Sequence, residues 1–272
     1  SKRITVTINK LADQTTDDLE RFADMLSACL VGKNRSLIVL DYWLSEDNTT
    51  FVYLLDDIDE AKARQLTPRR ITELKPANDF EITVEKDLTF SLLRNIHCLL
   101  VGNTSSSKTT FLKSMIVQLF MFQTDIDLTI LDVKSEFSSW TFLPDGTILS
   151  DSDDILNYFE VLLELVINRE QQIAQLSARE DLTGATFVNF NQEMKMKFCI
   201  IEEYSAMLSS ITDTKKRKRV QDLVLSIVSR SRSSGVYICI CMQQPRSELI
   251  STAVRDNLGV RICLSNGAIT DE

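Results

Sequence analysis

The residues best suited to bind an anion form a short loop between a predicted strand and a predicted helix. Residues 98–101 are apolar, as in a buried strand, and Lys108 and Thr109 open an amphipathic helix. The candidate loop consists of Gly102, Asn103, Thr104, Ser105, Ser106, Ser107, Lys108, Thr109 and Thr110. It is close to the phosphate-binding pattern of Gly, four residues, Gly-Lys and Ser or Thr, in which backbone N–H groups at a helix N-terminus converge on phosphate. In such a loop Lys108 reaches the β- and γ-phosphates and Thr109 binds Mg²⁺.

Ser107 stands where that pattern has its second glycine. If the position requires a positive φ, a side chain there costs roughly 1–2 kcal/mol, and its Cβ would crowd the phosphate. The alternative is an ordinary strand–turn–helix connection whose serines and threonines cap the helix. The loop alone leaves both interpretations open.

Polar residues also follow two other predicted strands. The apolar run 198–201 ends in Glu202 and Glu203, and the run 236–241 is followed by Gln243. Carboxylates at the carboxyl end of a buried strand suit a site that holds Mg²⁺ and activates water. Glu202 would hold the metal through water, Glu203 would polarise the attacking water, and Gln243 would sense the γ-phosphate. The alternatives are solvated acids at a strand end and a turn before Pro245.

The elements that position these residues lie after about residue 80, where predicted strands and helices alternate. They are strand 98–101, helix 108–122, strand 127–132, a long helix after Asp151, a polar loop through Gly184 and Asn189, strand 198–201, a helix opened by the basic run 215–219, strand 236–241, a further helix, and strand 260–264. Such alternation is typical of an α/β fold with a mainly parallel sheet. The candidate residues then meet at the carboxyl ends of its strands.

The first 80 residues follow a different pattern. Strands over 2–8, 36–43 and 50–55, with a helix capped by Thr16, predict a small α/β subdomain. The helix breakers Pro68 and Pro76 place a boundary at about 76–85, which divides the chain into 1–80 and 81–272. The first part has no catalytic constellation, so its predicted role is structural or as a docking surface.

Composition narrows the function classes. The 272 residues carry a net charge of −9, which argues against nucleic-acid binding through a broad basic face. The basic run Lys215, Lys216, Arg217, Lys218 and Arg219 predicts a solvated helix face, and a face toward DNA or another subunit stays open. No apolar run reaches the length of a membrane span. The start at Ser1 suggests an excised soluble fragment, and upstream membrane helices stay open.

Metal-binding patterns are absent from the sequence. The six cysteines include no CxxC pair, and the single histidine, His97, has no evident ligand partners. This usage predicts reduced core thiols in a cytoplasmic protein rather than a zinc site.

Five segments, in order, resemble the FtsK/SpoIIIE motor domain, a RecA-like P-loop ATPase that forms rings on double-stranded DNA. They are Gly102 with Lys108-Thr109, Leu131-Asp132-Val133-Lys134, Ile200-Ile201-Glu202-Glu203-Tyr204, Ser231-Arg232-Ser233-Ser234-Gly235 with Met242-Gln243-Gln244-Pro245, and Arg255-Asp256-Asn257-Leu258-Gly259-Val260-Arg261-Ile262. The resemblance covers roughly residues 86–264. It implies that 81–272 is a motor domain truncated at its C-terminal end.

Within that family the segments are most similar to the FtsK-like coupling proteins of Gram-positive conjugative elements. Such proteins are membrane-anchored and hand DNA–relaxase complexes to a type IV secretion channel. The resemblance therefore implies ATP and Mg²⁺ as cofactors, double-stranded DNA as a partner bound weakly by the fragment, and a hexameric ring of identical subunits. It also implies relaxase or channel proteins as further partners, and a location at the cytoplasmic face of the membrane.

The same resemblance assigns catalytic roles to Lys108, Glu203 and Gln243, and suggests that Arg255 and Arg261 reach the γ-phosphate of a neighbouring subunit. Arg232 is a weaker candidate, and each arginine is equally suited to be a surface cation.

Four positions depart from the family pattern: Ser107 for glycine, Val133 for proline, Glu202 for aspartate and Gln244 for arginine. These departures suggest weak or lost turnover in a domain that still folds. Three functions stay open: a DNA-translocating ATPase for conjugative transfer, an FtsK-like ATPase of type VII protein secretion, and a nucleotide-binding subunit with an assembly role only.

Overall fold

The computed structural model describes residues 4–11, 14–30, 36–57, 66–86, 88–103, 106–181, 183–246 and 248–264. The chain forms two compact units, one of residues 1–67 with 85–88 and one of residues 68–84 with 89–272. The domain boundary expected at about residue 80 stays a prediction, because a compact unit need not fold on its own.

In the residues that the structure describes, the first unit combines three strands with one helix. Its elements are β1 (Ile4–Asn9), α1 (Thr16–Cys29), β2 (Leu37–Leu44) and β3 (Thr50–Asp57). The strands form an antiparallel sheet in the order β1-β3-β2. Alternation along β3 turns Phe51, Tyr53 and Leu55 toward Leu19 and Ala23 of α1, and these five residues form the core of the unit.

The helix cap predicted at Thr16 was wrong by one residue. Thr15 is the N-cap, with an extended backbone at φ −111° and ψ 178°, whereas Thr16 is already helical. The backbone N–H of Thr15 donates to the Asp18 carboxylate at 2.9 Å, as in a capping box.

The second unit is built on a six-stranded sheet. Its strands are β6 (Cys98–Gly102), β7 (Ile126–Leu131), β8 (Ile148–Leu149), β9 (Met196–Ile201), β10 (Val236–Met242) and β11 (Val260–Leu264). They lie in the order β11-β6-β10-β9-β7-β8, and every neighbouring pair is parallel. The predicted α/β fold with a parallel sheet is confirmed. Strand β6, which leads into the candidate loop, lies inside the sheet between β10 and β11.

Helices cover both faces of this sheet. They are α2 (Lys108–Phe122), α3 (Ser152–Glu180), α4 (Tyr204–Ser210), α5 (Thr214–Arg230) and α6 (Thr252–Asp256). Leu100 belongs to the core beneath α2, and its neighbour Leu99 belongs to the core shared with α3 and α5. In the described residues, no helix combines the length and apolar character needed to cross a membrane.

Several short elements were not predicted. Strands β4 (Glu81–Glu85) and β5 (Leu88–Ser91) pair with each other, and 3₁₀-helices form at Ile71–Leu74 and Phe187–Glu193. The second 3₁₀-helix replaces part of the loop predicted through Gly184 and Asn189. Its cause is local: the N–H of Thr186 donates to the Asn189 side chain at 2.8 Å and starts the turn.

Two buried glutamines bind the backbone of residues 80–83. They are Gln118 of α2 and Gln123, which directly follows α2. Gln118 exchanges hydrogen bonds with the backbone N–H and C=O of Thr83, at 2.8 and 3.0 Å. Gln123 accepts from the N–H of Phe80 and donates to the carbonyl of Glu81. Because both amides act as backbone partners, residues 80–83 pair with α2 much as a strand pairs with its neighbour.

Burial also accounts for four of the five cysteines whose side chains the structure describes. Cys98, Cys199, Cys239 and Cys241 are free and buried in the sheet, and Cys263 is free and exposed. Burial raises the pKa of the Cys199 thiol to about 12, so this thiol stays protonated and unreactive. The side chain of Cys29 lies outside the described residues.

Candidate functional site

The predicted phosphate loop lies where strand β6 meets helix α2. Ser107 is the N-cap of α2 and has a left-handed backbone, with φ 66° and ψ 14°. The condition stated from the sequence is therefore met: this position uses the conformation that glycine adopts freely, and serine costs roughly 1–2 kcal/mol there. The carbonyl of Ser107 accepts from the N–H of Phe111 at 2.9 Å, which starts the helix in the ordinary way.

Gly102, at the other end of the loop, is required by close packing rather than by its backbone angles. A Cβ at this position would lie 2.3 Å from the Ser106 hydroxyl and 3.1 Å from the carbonyl oxygen of Leu264. The loop therefore folds back tightly over the end of β6. The Ser106 hydroxyl is buried and, within the described residues, has no hydrogen-bond partner.

A cavity of about 500 Å³ opens above this loop. It is lined by Gly102, Asn103, Ser106, Ser107, Lys108, Thr109, Thr110, Lys134, Glu136, Glu202, Glu203 and Gln243. The structure thus brings the described part of the predicted loop together with both acids and the glutamine. Thr104 and Ser105 lie outside the described residues.

Glu203 is the best-connected side chain of the cavity. Its Oε2 is 2.9 Å from the Lys108 Nζ and 3.8 Å from the Lys134 Nζ, and its Oε1 accepts from the Ser205 hydroxyl at 2.9 Å. Its side chain is only 2% exposed. The first helical lysine of the loop and the predicted water-activating acid are therefore direct partners.

Glu202 has a contrasting environment. Its Oε2 is buried and has no hydrogen-bond partner among the described residues. Burial raises the pKa of the Glu202 carboxyl; nearby Lys134 and Lys108 oppose this rise, and Asp132 and Glu203 add to it. A buried oxygen without a partner is costly unless a ligand uses it.

A magnesium ion fits this arrangement. Mg²⁺ takes oxygen ligands and keeps several waters, and the cavity offers the unpartnered Glu202 Oε2 together with the Thr109 hydroxyl. The extra methylene of Glu202, compared with aspartate, changes the reach of the carboxylate that lines the cavity.

Asp132 shapes the loop that follows β7, one residue beyond the strand end and not within it as predicted. Its buried carboxylate accepts from the backbone N–H groups of Lys134 at 3.2 Å, Glu136 at 3.1 Å and Phe137 at 2.8 Å. Ser135 completes the turn with a φ of 61°. Three backbone bonds to one carboxylate hold the loop so that Lys134 and Glu136 face the cavity.

Gln243 is exposed on the cavity wall, directly after β10. Strand β10 lies between β6 and β9, so Gln243 stands between the phosphate loop and the acid pair. This is the position that a side chain contacting a bound phosphate would need.

Arg255 and Arg261 do not line this cavity. They border a second cavity of about 410 Å³, together with Pro245, Thr252 and Cys263 among others. Arg255 donates to the carbonyl of Pro245 at 3.4 Å and to the Thr252 hydroxyl at 3.2 Å, and Arg261 donates to the carbonyl of Arg255 at 3.1 Å. Neither guanidinium is thus positioned on the phosphate loop of its own chain, and their role across a subunit interface stays a prediction.

Arg232 is exposed in the turn before β10. That turn lies at the amino end of the strand, whereas the phosphate loop follows the carboxyl end of its neighbour β6. In a parallel sheet these ends are opposite, so Arg232 lies far from the phosphate loop of its own chain.

The basic run at the start of α5 is partly neutralised by the acidic helix α3. Lys216 pairs with Asp153 at 2.5 Å, and Arg219 pairs with Glu160 at 3.3 Å. Further along the helix, Arg230 pairs with Glu170 at 2.7 Å. These exposed ion pairs favour the predicted solvated helix face over a broad basic patch.

Lys134, Glu136 and Ser205 are site residues that sequence reasoning did not assign. Lys134 belongs to the segment Leu131-Asp132-Val133-Lys134 that carried the resemblance, but its direction became visible only with the Asp132 turn. Ser205 follows the acid pair by two residues at the start of α4, where a hydroxyl reaches back to Glu203. A hydroxyl two residues after an acid at a helix start was the available signal.

Comparison with known proteins gives three findings. The family model described as FtsK/SpoIIIE family matches residues 53–268. The DNA translocase FtsK of Corynebacterium efficiens is 18% identical over 207 residues, which are 68% of this chain and 21% of that protein. The DNA translocase FtsK of Lactococcus lactis subsp. cremoris is 22% identical over 211 residues, which are 72% of this chain and 28% of that protein. The chain thus spans about a quarter of these relatives' length.

Two solved structures show the same fold. The pCW3 conjugation coupling protein TcpA, in a monomer form with ATPγS, aligns with a TM-score of 0.60 and 15% identity over 98% of this chain and 74% of that chain. EssC (ATPases 2 and 3) from Geobacillus thermodenitrificans aligns with a TM-score of 0.55 and 14% identity over 74% of this chain and 40% of that chain.

Proposed function

The chain belongs to the FtsK/SpoIIIE family, and from this premise we propose that it is an ATP-hydrolysing motor domain that translocates double-stranded DNA in conjugative transfer. The observation that carries the proposal is the contact between Lys108 and Glu203 across a cavity whose floor is the phosphate loop. The contact places a lysine suited to bind phosphate and an acid suited to polarise water in one cavity, and P-loop ATP hydrolysis uses both groups.

Each residue of the cavity has a role in this proposal. The backbone of the loop and the N-terminus of α2 bind the phosphates, and Lys108 neutralises their charge. Glu203 orients and polarises the attacking water, and Gln243 contacts the γ-phosphate. Thr109 and Glu202 would hold Mg²⁺, and the ion would neutralise phosphate charge when bound.

In a ring, a neighbouring subunit would supply an arginine to the phosphate loop. Arg255 and Arg261 lie away from the cavity of their own chain, so we propose that a neighbouring subunit uses them. An arginine donated in this way stabilises the charge that develops in the transition state. The hexameric ring, relaxase or channel partners, and attachment to the cytoplasmic face of the membrane belong to the same proposal.

DNA contact is proposed to occur through a few loops in the channel of the ring. The chain has a net charge of −9, and Lys216 and Arg219 are engaged by acids of α3. A single subunit should therefore bind duplex DNA weakly, without sequence preference and with a shallow salt dependence, and assembly should strengthen binding. Tight binding by a monomer that is lost when Lys215, Lys216 and Lys218 are changed to glutamate would contradict this picture.

The experiment that tests the proposal is ATP turnover with and without double-stranded DNA, on a chain extended at both ends, with Lys108→Ala as the control. We expect turnover that rises with DNA and is absent from the control. Turnover stimulated only by the C-terminal segment of a secreted protein would favour type VII protein secretion. Nucleotide binding and assembly without turnover would favour an assembly role.

A further inference from the structure

The lysine that must bind phosphate is already bound to an acid. The Lys108 Nζ lies 2.9 Å from the Glu203 Oε2, and the lysine side chain is only 10% exposed. A triphosphate that takes Lys108 as its partner therefore competes with Glu203 for the same ammonium group. Unless another cation replaces it, Glu203 is left as a buried carboxylate without an ionic partner, which is strongly unfavourable.

Lys134 is placed to be that second cation. Its Nζ is 3.8 Å from the same Oε2, which is within ion-pair range but longer than a hydrogen bond. The side chain is 40% exposed, so it has room to move. Its backbone is held by the Asp132 carboxylate, which accepts from the N–H of Lys134 itself and from those of Glu136 and Phe137.

Ser205 keeps the acid in place during such an exchange. Its hydroxyl donates to Oε1 at 2.9 Å, whereas both lysines approach Oε2. One carboxylate oxygen is thus anchored and the other faces two cations. Moving Lys108 to the phosphate changes the partner of Oε2 without releasing Oε1.

We propose that nucleotide binding moves the ion pair of Glu203 from Lys108 to Lys134, an exchange called the handover below. Lys134 is then a positioning residue that keeps the water-activating acid paired and oriented in the nucleotide-bound site. The inference deepens the proposed function and rests on it. It assigns Lys134 to the acid and not to the phosphate, and this difference can be measured without any turnover.

A double-mutant cycle on binding of a fluorescent ATP analogue with Mg²⁺ tests the proposal. Lys134→Met should weaken binding at least about fivefold when Glu203 is present, because releasing Lys108 then leaves the acid unpaired. In a Glu203→Gln background the same change should weaken binding by less than about twofold. Equal weakening in both backgrounds would show that Lys134 contacts phosphate directly, and no weakening in either would show that it has no part in the exchange; both results overturn the proposal.

Two further variants test whether the loss of affinity comes from the charge of Lys134 and from its position in the cavity. Lys134→Arg should restore most of the affinity, because it keeps the charge, and Lys195→Met should have no effect, because Lys195 is an exposed lysine away from the cavity. A loss of affinity with Lys195→Met equal to that with Lys134→Met would also overturn the proposal.

The wild-type titration separates the two hypotheses. If the unchanged protein fails to bind the analogue at millimolar concentration, or binds it equally well after Lys108→Ala, the proposed function fails and the handover falls with it. If the unchanged protein binds normally and only the coupling between Lys134 and Glu203 is absent, the handover alone is wrong.

Discussion

Polar side chains are buried at both ends of the six-stranded sheet, but their hydrogen bonding differs. At the amino ends, Arg169 of α3 donates to the carbonyls of Ser234 and Lys195, each at 2.8 Å. At the carboxyl ends, the Glu202 Oε2 and the Ser106 hydroxyl are buried around an open cavity and have no partner within the described residues. A satisfied buried polar group stabilises a fold, whereas an unsatisfied one beside a cavity indicates a place for a ligand.

His97 belongs to the polar network at the amino ends, where the buried Tyr237 hydroxyl of β10 is left without a hydrogen-bond partner among the described residues. Its Nδ1 accepts from the N–H of Ile238 at 3.0 Å, so in the neutral ring Nε2 carries the proton and lies 3.0 Å from the Ser231 hydroxyl. The only histidine of the chain therefore connects the starts of two strands through these two hydrogen bonds.

The largest expected effect is at the amino ends, where Gly235 packs against an aromatic ring. A Cβ there would lie 2.5 Å from the Phe187 ring, and the backbone φ is 71°. Gly235→Val should lower the free energy of unfolding by about 3–5 kcal/mol, from overpacking and from a disfavoured backbone. Denaturant titration measures this change.

The matched control is Gly184→Val. Gly184 also has a positive φ, 77°, but no atom lies within 4 Å of its added Cβ. Gly184→Val should lower the free energy of unfolding only by the cost of the disfavoured backbone, about 1–2 kcal/mol. Equal losses at the two glycines would show that contact with Phe187 contributes nothing.

The next effect is a pH dependence of stability caused by His97. Burial lowers the pKa of His97 from its ordinary 6.5 to about 4. Between those values the unfolded chain binds a proton that the folded chain does not, so stability falls as the pH drops from about 6.5 to about 4, by about 3 kcal/mol in total.

His97→Asn should remove this contribution, and asparagine tolerates the positive φ of 59° found at this position. The measurement is the difference in unfolding free energy between the two proteins across pH 4 to 7. A difference that does not change with pH would mean that the imidazole is not held neutral in the fold.

A smaller effect is expected at the phosphate loop. Ser107→Gly removes the cost of the left-handed backbone but raises the conformational entropy of the unfolded chain. The free energy of unfolding should therefore rise by about 0.5–1 kcal/mol. It should also strengthen Mg²⁺–ATP binding, since the Cβ no longer crowds the phosphate. Thermal unfolding and nucleotide titration measure the two effects.

Asp181→Gly is a matched change at the end of α3, where φ is 51° and the side chain is exposed. It should give a similar gain in stability and leave nucleotide affinity unchanged. A rise in affinity for both variants would assign the effect of Ser107→Gly to general stability.

The smallest change in stability is expected for Glu202→Gln. Because burial raises the pKa of this carboxyl, the ionised form weakens the fold as the pH rises above the unfolded value, and the amide removes that cost. Stability at pH 7 should stay the same or rise by up to about 1 kcal/mol, while Mg²⁺-dependent turnover falls strongly. A clear loss of stability would identify Glu202 as a structural residue like Arg169.

The sequence predicted the residues at the carboxyl ends of the sheet better than those at the amino ends. Loop residues such as Lys108 and acids such as Glu203 follow strand ends with a recognisable spacing, and parallel strands bring those ends together. Arg169 gave no such signal, because it stands among the apolar positions of α3 and its partners are backbone carbonyls distant in sequence. Lys134 was also missed, because its direction depends on a turn made by Asp132.

The most direct test of the account is titration of Mg²⁺–ATP into the unchanged protein, Lys108→Ala and Lys195→Ala. Lys108 lies in the cavity and Lys195 lies at the amino ends, so the pair compares the two ends of the sheet with the same substitution. We expect binding to be retained with Lys195→Ala and lost with Lys108→Ala. Binding that is indifferent to Lys108→Ala would contradict the assignment of the carboxyl-end cavity as the nucleotide site.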